Sequence, residues 1–311
     1  MKKTLLFLSL FIVVTLACDL AVTVAPTVSS TPLPTNTVLP TIENPTQIPA
    51  SPTSIPPTEA PIPATETPTV QPPSLPGTAV SYGSLSLVLP PGVASGFSGN
   101  QFPRADGDNL APWEVTPGHT QIKLEGYLLQ GKLHQPQIFV YPATEYAVMV
   151  PAAFESMHRL RNVMYDPSTA TSVDQLPAVP FFNATQVFAS NVQPIAFQNG
   201  DGMRFLTEYA QYAAPVNNHE LIYQFQGFSD DGEYYIIAIL PVTVPVLAES
   251  SEPGAILPPG GVPYPDISNP NADMTGYYTA VTNLLNATSP DAFAPTLSQL
   301  DALIQSIRIT P

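Results

Sequence analysis

The sequence predicts an α+β fold, in which an antiparallel sheet is flanked by helices in an arrangement like an α/β/α sandwich. Three observations support this prediction. After about residue 78, apolar and polar residues alternate in segments that follow one another as hairpins. Helical periodicity falls in separate segments between and after these hairpins. The part of the chain that precedes them is rich in proline and threonine and predicts no core at all.

Strand periodicity accounts for most of the folded region. Leu85, Leu87 and Leu89 recur at every second position, which puts them on one face of a strand. Residues 121–129 and 135–142 continue the pattern. Three further strands are predicted at 202–211, 219–228 and 233–242. The sequence Ser-Asp-Asp-Gly at 229–232 predicts a tight turn between the last two.

Three segments have helical spacing instead. Residues 151–164 begin with a proline and repeat apolar side chains at Phe154, Met157, Leu160 and Val163/Met164. A second helix is predicted over 277–285. The C-terminal segment 295–309 carries Leu297, Leu300, Leu303/Ile304 and Ile307 at the same spacing. The proline- and glycine-rich residues 249–273 predict a long surface loop.

The first 17 residues have the three parts of a secretory signal peptide. Lys2 and Lys3 provide positive charge, residues 5–16 are almost wholly apolar, and Ala17 is a small residue at the end of the run. A bilayer-spanning helix needs roughly 20 apolar residues, which is more than this run contains. A cleaved signal peptide over residues 1–17 is therefore predicted.

Thr15-Leu16-Ala17-Cys18 resembles the lipobox of bacterial lipoproteins, which most often has leucine where this chain has Thr15. The resemblance implies that the Cys18 thiol receives a diacylglyceryl group and that a peptidase cuts just before Cys18. The mature chain would then be held at the cell membrane by lipid and face away from the cytoplasm. The alternative is an ordinary signal peptide that leaves the only cysteine of the chain as a free thiol.

Residues 18–77 predict a disordered stalk, and residues 78–311 a single globular domain. About one stalk residue in four is proline, and aromatic side chains are almost absent. Such a stalk would reach about 45 Å as a flexible coil and about 180 Å as a stiff polyproline II segment. Threonine and serine beside proline are also typical of O-glycosylated stalks, and a passive spacer without sugars is the alternative.

The hairpin "FQGFSDDGEYYIIAILPV", followed by an amphipathic helix ending "SIRI", resembles the PsbP-like class of α/β/α sandwiches. The resemblance covers about the last 110 residues. It implies a fold in which binding and assembly roles are common, and it transfers no catalytic residue to this chain.

No catalytic, cofactor or metal motif emerges from the remaining residues. His119, His134, His158 and His219 lack the i, i+4 spacing of a zinc helix. Two acidic turns, with Asp106 and Asp108 in one and Asn269, Asn271 and Asp273 in the other, are incomplete as calcium loops. The net charge of −15 argues against nucleic acid as a partner. The one basic cluster, at His158, Arg159 and Arg161, is interpreted as a solvated helix face, with an anion contact as the alternative.

These observations favour a membrane-anchored, non-catalytic module that binds an envelope protein or an extracellular ligand. A cell-surface hydrolase that uses a pair of carboxylates is the alternative, because such residues meet only in the folded chain. A solute receptor for a transporter is a third hypothesis, and it predicts two lobes joined by a hinge.

Overall fold

The structure, a computed structural model, describes residues 76–252 and 254–310. The predicted signal peptide, Cys18 and nearly all of the predicted stalk lie outside these residues. Within them, no helix combines the length and the apolar character needed to cross a membrane.

The described residues contain ten strands and four α-helices. The strands are β1 (Thr78–Tyr82), β2 (Leu85–Leu89), β3 (Gly96–Phe102), β4 (His119–Glu125), β5 (Gln137–Pro142), β6 (Thr185–Phe197), β7 (Gly200–Ala210), β8 (Ile222–Ser229), β9 (Tyr234–Pro241) and β10 (Arg308–Ile309). The helices are α1 (Ala143–Met149), α2 (Pro151–Tyr165), α3 (Met274–Ala287) and α4 (Leu297–Gln305).

The strands form two antiparallel sheets. The larger has seven strands in the order β3-β4-β5-β9-β8-β7-β6, and the smaller has three in the order β1-β2-β10. The predicted α+β class with an antiparallel sheet is thus confirmed. The small second sheet was not predicted.

Both faces of the large sheet are covered. On β9, Tyr235, Ile237 and Ile239 pack in the core shared with α1 and α2. Their neighbours Ile236, Ala238 and Leu240 pack in the opposite core, which α3, α4 and the small sheet complete. The helices therefore flank the sheet as predicted, and the central strands are apolar on both sides.

Two details of the predicted helices are wrong. Phe154 of α2 is exposed, and the buried stripe runs instead through Ala153, Met157, Leu160 and Val163. The C-terminal helix ends at Gln305 and does not reach Ile307. Residues 308–309 form β10, in which Arg308 pairs with Ser86 and Ile309 with Leu85. The hydroxyl of Ser306 also accepts a bond from the Val88 amide at 2.8 Å, so this end of the chain is bound to β2.

An ion pair joins α4 to the large sheet. The Arg204 guanidinium on β7 lies 3.1 Å from Asp301 Oδ1 on α4. Tyr223 of β8 donates its hydroxyl to the same oxygen at 2.8 Å, and Arg204 also donates to the Asn191 carbonyl and to Gln193 Oε1. The Arg204 guanidinium, the Asp301 carboxylate and the Tyr223 hydroxyl therefore all have partners, as burial of charge requires.

Candidate functional site

A pocket of about 710 Å³ lies between the loop that follows β9 and one side of α3. We call it the α3 pocket. Its lining consists of residues 212–216 after β7, residues 247, 248, 250–252, 254, 255, 257, 262–264 and 267 of the loop, and Tyr277 and Val281 of α3. Ligand pockets for small molecules have volumes of about 300–1,000 Å³ and mostly apolar linings, and the α3 pocket fits both criteria.

Buried asparagines hold the base of this loop in place. Asn218 donates from Nδ2 to the carbonyls of Val244 and Leu247, at 3.0 and 3.1 Å, and its Oδ1 accepts from the Val244 amide at 2.8 Å. Asn217 donates from its side-chain Nδ2 to the Pro215 carbonyl at 3.0 Å, which orders the segment entering β8. Asn218 can make these bonds because its amide offers both donors and an acceptor.

Two tyrosines form the aromatic wall of the α3 pocket. The rings of Tyr264 and Tyr277 meet edge to face, with centroids 5.1 Å apart. The Tyr277 hydroxyl accepts from the Val216 amide at 2.9 Å and so joins α3 to the segment after β7. Burial raises the pKa of Tyr277 to about 12, so its phenol is neutral at physiological pH. Helix α3 begins at Met274, and the carboxylate of the preceding Asp273 caps it by accepting from the Gly276 amide at 2.8 Å.

The Tyr264 hydroxyl is buried and has no hydrogen-bond partner among the described residues. A polar group in this state costs about 1–3 kcal/mol relative to a bonded one. A ligand with a donor or acceptor that reached this oxygen would remove that cost. The α3 pocket thus combines a mostly apolar lining with a buried hydroxyl that could orient a ligand.

Two carboxyl groups meet behind the pocket. Glu208 on β7 is only 1% exposed and is in hydrogen-bond contact with Glu220. The Asn217 amide donates to Glu208 Oε2 at 3.1 Å, and Ser251 of the pocket loop donates to Glu220 Oε1 at 3.3 Å. Burial and, after it, the nearby Glu220 carboxylate raise the pKa of Glu208 well above its ordinary value.

The raised pKa of Glu208 makes stability depend on pH. Between the ordinary carboxyl pKa and the raised value, the folded chain holds a proton that the unfolded chain has lost, so the free energy of unfolding falls as pH rises. Glu208→Gln removes this titration but keeps an acceptor for Asn217. We expect the variant to melt a few degrees higher than the parent near pH 8, and at about the same temperature near pH 4.

Thermal melts across that pH range measure this effect. Glu155→Gln on the exposed side of α2 is the matched control, because it removes one carboxylate that is open to solvent. Its melting curve should follow the parent at each pH. If the melting temperatures of the parent and Glu208→Gln changed with pH in the same way, the pKa of Glu208 would be the same in the folded and unfolded chains. That result would contradict the prediction.

A second concave surface, the Trp113 groove, lies on the other side of residues 209–214. It encloses about 510 Å³ and is lined by Trp113, Leu133, His134, Phe181, Phe182, residues 183–184, residues 209–212, Ala214 and Glu220. His134 stacks on Phe182 with centroids 4.9 Å apart, and its buried Nε2 has no partner among the described residues. Burial, reinforced by His219, lowers the pKa of His134 to about 4. The groove is more open than the α3 pocket.

The candidate residues named from sequence do not gather at one site, although His134 and His219 lie close enough to interact. His119 packs against Tyr141, His134 lines the Trp113 groove, and His158 is exposed on α2. Within residues 76–252 and 254–310, no three or more His, Cys, Asp or Glu side chains come together in a way that could hold a metal ion. Cys18 lies outside these residues.

The two acidic turns have local structural roles. Asp106 pairs with Arg104 at 2.7 Å. In the second turn, Asn269 accepts from the Asn271 amide at 3.0 Å and Asp273 caps α3, so these side chains bond their own backbone. In the basic cluster, the Arg161 guanidinium lies over the Phe228 ring, 4.6 Å from its centroid.

The residues that build the α3 pocket were not identified from the sequence. Glu208 follows Arg204 and Leu206 at every second position of β7, so strand alternation could have placed it on a buried face. No comparable signal marks the pocket itself, because it joins residues about 60 positions apart, such as Val216 and Tyr277.

Comparison with known proteins found no match to this chain among family models, curated proteins or solved structures.

Proposed function

We propose that this chain is a lipid-anchored extracytoplasmic protein whose folded region binds an apolar small molecule in the α3 pocket. The anchor is the lipid on Cys18, as the resemblance to the lipobox implies. The observation that carries the binding role is the pocket itself, which has a ligand-sized volume, an aromatic wall and a buried hydroxyl with no partner in the part of the chain that the structure describes.

Exposed apolar side chains near the pocket support the same role. Ile256, Leu257 and Ile267 of the loop are 86%, 43% and 57% exposed, and two of them line the pocket. A loop that presents apolar side chains beside an apolar cavity is suited to contact with an apolar ligand. The stalk predicted for residues 18–77 would give this site reach beyond the membrane surface.

A carboxylate-dependent hydrolase remains the alternative, with less support. Glycoside hydrolases place their two carboxyl groups about 5–10 Å apart, on either side of the scissile bond. Glu208 and Glu220 instead touch each other, and Glu208 is buried beneath the pocket wall. Their contact leaves no room between them for a sugar ring.

A titration with N-phenyl-1-naphthylamine, an uncharged fluorescent probe, tests the binding role. The full chain carrying Cys18→Ala avoids detergent, which would itself occupy an apolar pocket. Ala255→Trp places a large side chain where the loop lines the cavity. We expect saturable binding of one probe per chain, weakened at least about tenfold by Ala255→Trp.

The control for this titration is Ile256→Trp. It adds a similar side chain at the neighbouring position, which is 86% exposed and does not line the α3 pocket. Its affinity for the probe should equal that of the parent. Probe binding that is absent, or that both tryptophan variants reduce alike, would contradict a binding role for this pocket.

A further inference from the structure

The charges around the α3 pocket indicate which ligands it can accept. Glu252 is the charged residue in the lining, which contains no lysine, arginine or histidine among the described residues. An anion placed there would meet a carboxylate and no compensating cation. Glu252 itself is exposed, so solvent and salt screen part of this repulsion.

Three backbone amides of the lining, which could otherwise hold an anion, are already hydrogen-bonded. The Val216 amide bonds to Tyr277, the Leu247 amide to the Val244 carbonyl, and the Ala255 amide to the Glu252 carbonyl. Pro215 and Pro263 line the pocket without an amide hydrogen. These five positions therefore offer no free amide hydrogen to a carboxylate, sulfonate or phosphate.

The second layer of side chains adds to this preference. A second carboxyl side chain lies behind the wall, because Glu220 accepts a bond from Ser251 of the lining. The rings of Tyr264 and Tyr277 have electron-rich faces, which attract cations and repel anions. Both features, like Glu252, disfavour an anion in the pocket.

We propose that the α3 pocket selects apolar ligands that are uncharged or cationic, and discriminates against apolar anions. This inference rests on the proposed function and adds the chemical class of the ligand. We therefore expect fatty-acid carboxylates and lipid phosphates to bind poorly in this pocket. Uncharged aromatic or alkyl compounds and hydrophobic amines should bind better.

A matched pair of probes tests the proposal. N-Phenyl-1-naphthylamine and 8-anilinonaphthalene-1-sulfonate share one ring system and differ by a sulfonate. The full chain with Cys18→Ala is titrated with each, and the signal lost on Ala255→Trp is taken as binding in the α3 pocket. We expect the uncharged probe to bind at least about tenfold more tightly.

Glu252 variants identify the source of the preference. Glu252→Lys should narrow the ratio of the two affinities several-fold, chiefly by improving binding of the sulfonate. Glu233→Gln removes an exposed carboxylate at the far end of the β8–β9 hairpin and should leave the ratio unchanged. At higher salt, Glu252→Lys should change this ratio of affinities less, because salt screens charges that are exposed to solvent.

The outcomes separate the two proposals. Equal affinity for both probes, or a ratio that Glu252→Lys does not change, would overturn the ligand class while leaving a binding pocket in place. Failure of both probes to bind in the pocket would overturn the proposed function itself, and the ligand class with it.

Discussion

Replacing Asp301 with alanine should lower the free energy of unfolding by about 3–5 kcal/mol, the range measured when one partner of a buried ion pair is removed. The side chains of Arg204 and Asp301 are 6% and 18% exposed. Without Asp301, the guanidinium keeps its bonds to Asn191 and Gln193 but loses its counter-charge, and the Tyr223 hydroxyl loses its acceptor. For a domain of this size, the melting temperature should fall by roughly 10 °C.

An exposed ion pair in the same chain is the matched control. Arg104 and Glu145 lie 3.0 Å apart, with side chains 51% and 43% exposed. Because solvent screens such pairs, Glu145→Ala should cost less than about 1 kcal/mol. Denaturant unfolding of the two variants measures the difference. Equal losses of unfolding free energy in the two variants would mean that the buried pair between α4 and the sheet stabilises the fold no more than the exposed pair does.

The second large effect concerns Cys18. In a bacterial host that processes lipoproteins, Cys18→Ala should move the protein from the membrane fraction almost entirely to the soluble fraction. One acyl chain binds a bilayer only marginally, whereas the two chains of a diacylglyceryl group hold it stably. The intact mass of the parent should correspond to a chain that begins at Cys18 and carries acyl groups. The variant should lack that modification.

Thr15→Leu is a variant with the opposite expected effect. It restores the leucine that the lipobox most often has at this position, so the processed fraction should be equal to or larger than that of the parent. An unmodified parent mass, with protein released freely whatever residue stands at position 18, would contradict the anchor. The folded region would then be a secreted protein.

Sequence periodicity predicted the elements that have one clear pattern. β2 and α2 bury side chains at regular spacing, and β8 and β9 are short apolar segments buried along nearly their whole length. Each was placed near its observed bounds. The long strand β6 was missed because its register shifts between Gln186 and Phe188 and again between Ser190 and Gln193. Each shift interrupts the period of two on which strand prediction depends.

Other elements were missed for different physical reasons. β3 is a partly exposed edge strand of mostly polar and glycine residues, so it has no apolar alternation. The end of α4 was misjudged because Ile307 has helical spacing but is buried beyond the helix, where the chain turns to pair with β2. Both outcomes depend on tertiary partners that local sequence does not specify.

The candidate site was largely beyond prediction for the same reason. The segment 249–273 was correctly expected to be a loop, since its described residues include neither helix nor strand. Its role as a pocket wall depends on Asn218, which holds the loop base from 26 positions away in sequence. The contact between Glu208 and Glu220 likewise exists only after folding.

The central claim, that the α3 pocket is the binding site, is tested most directly by locating a bound apolar ligand. Crystals of the full chain carrying Cys18→Ala can be soaked with 1-bromonaphthalene, and the anomalous signal of bromine gives the position of the probe. We predict a peak between Leu257, Tyr264 and Tyr277. A peak in the Trp113 groove with none in the α3 pocket would contradict the claim.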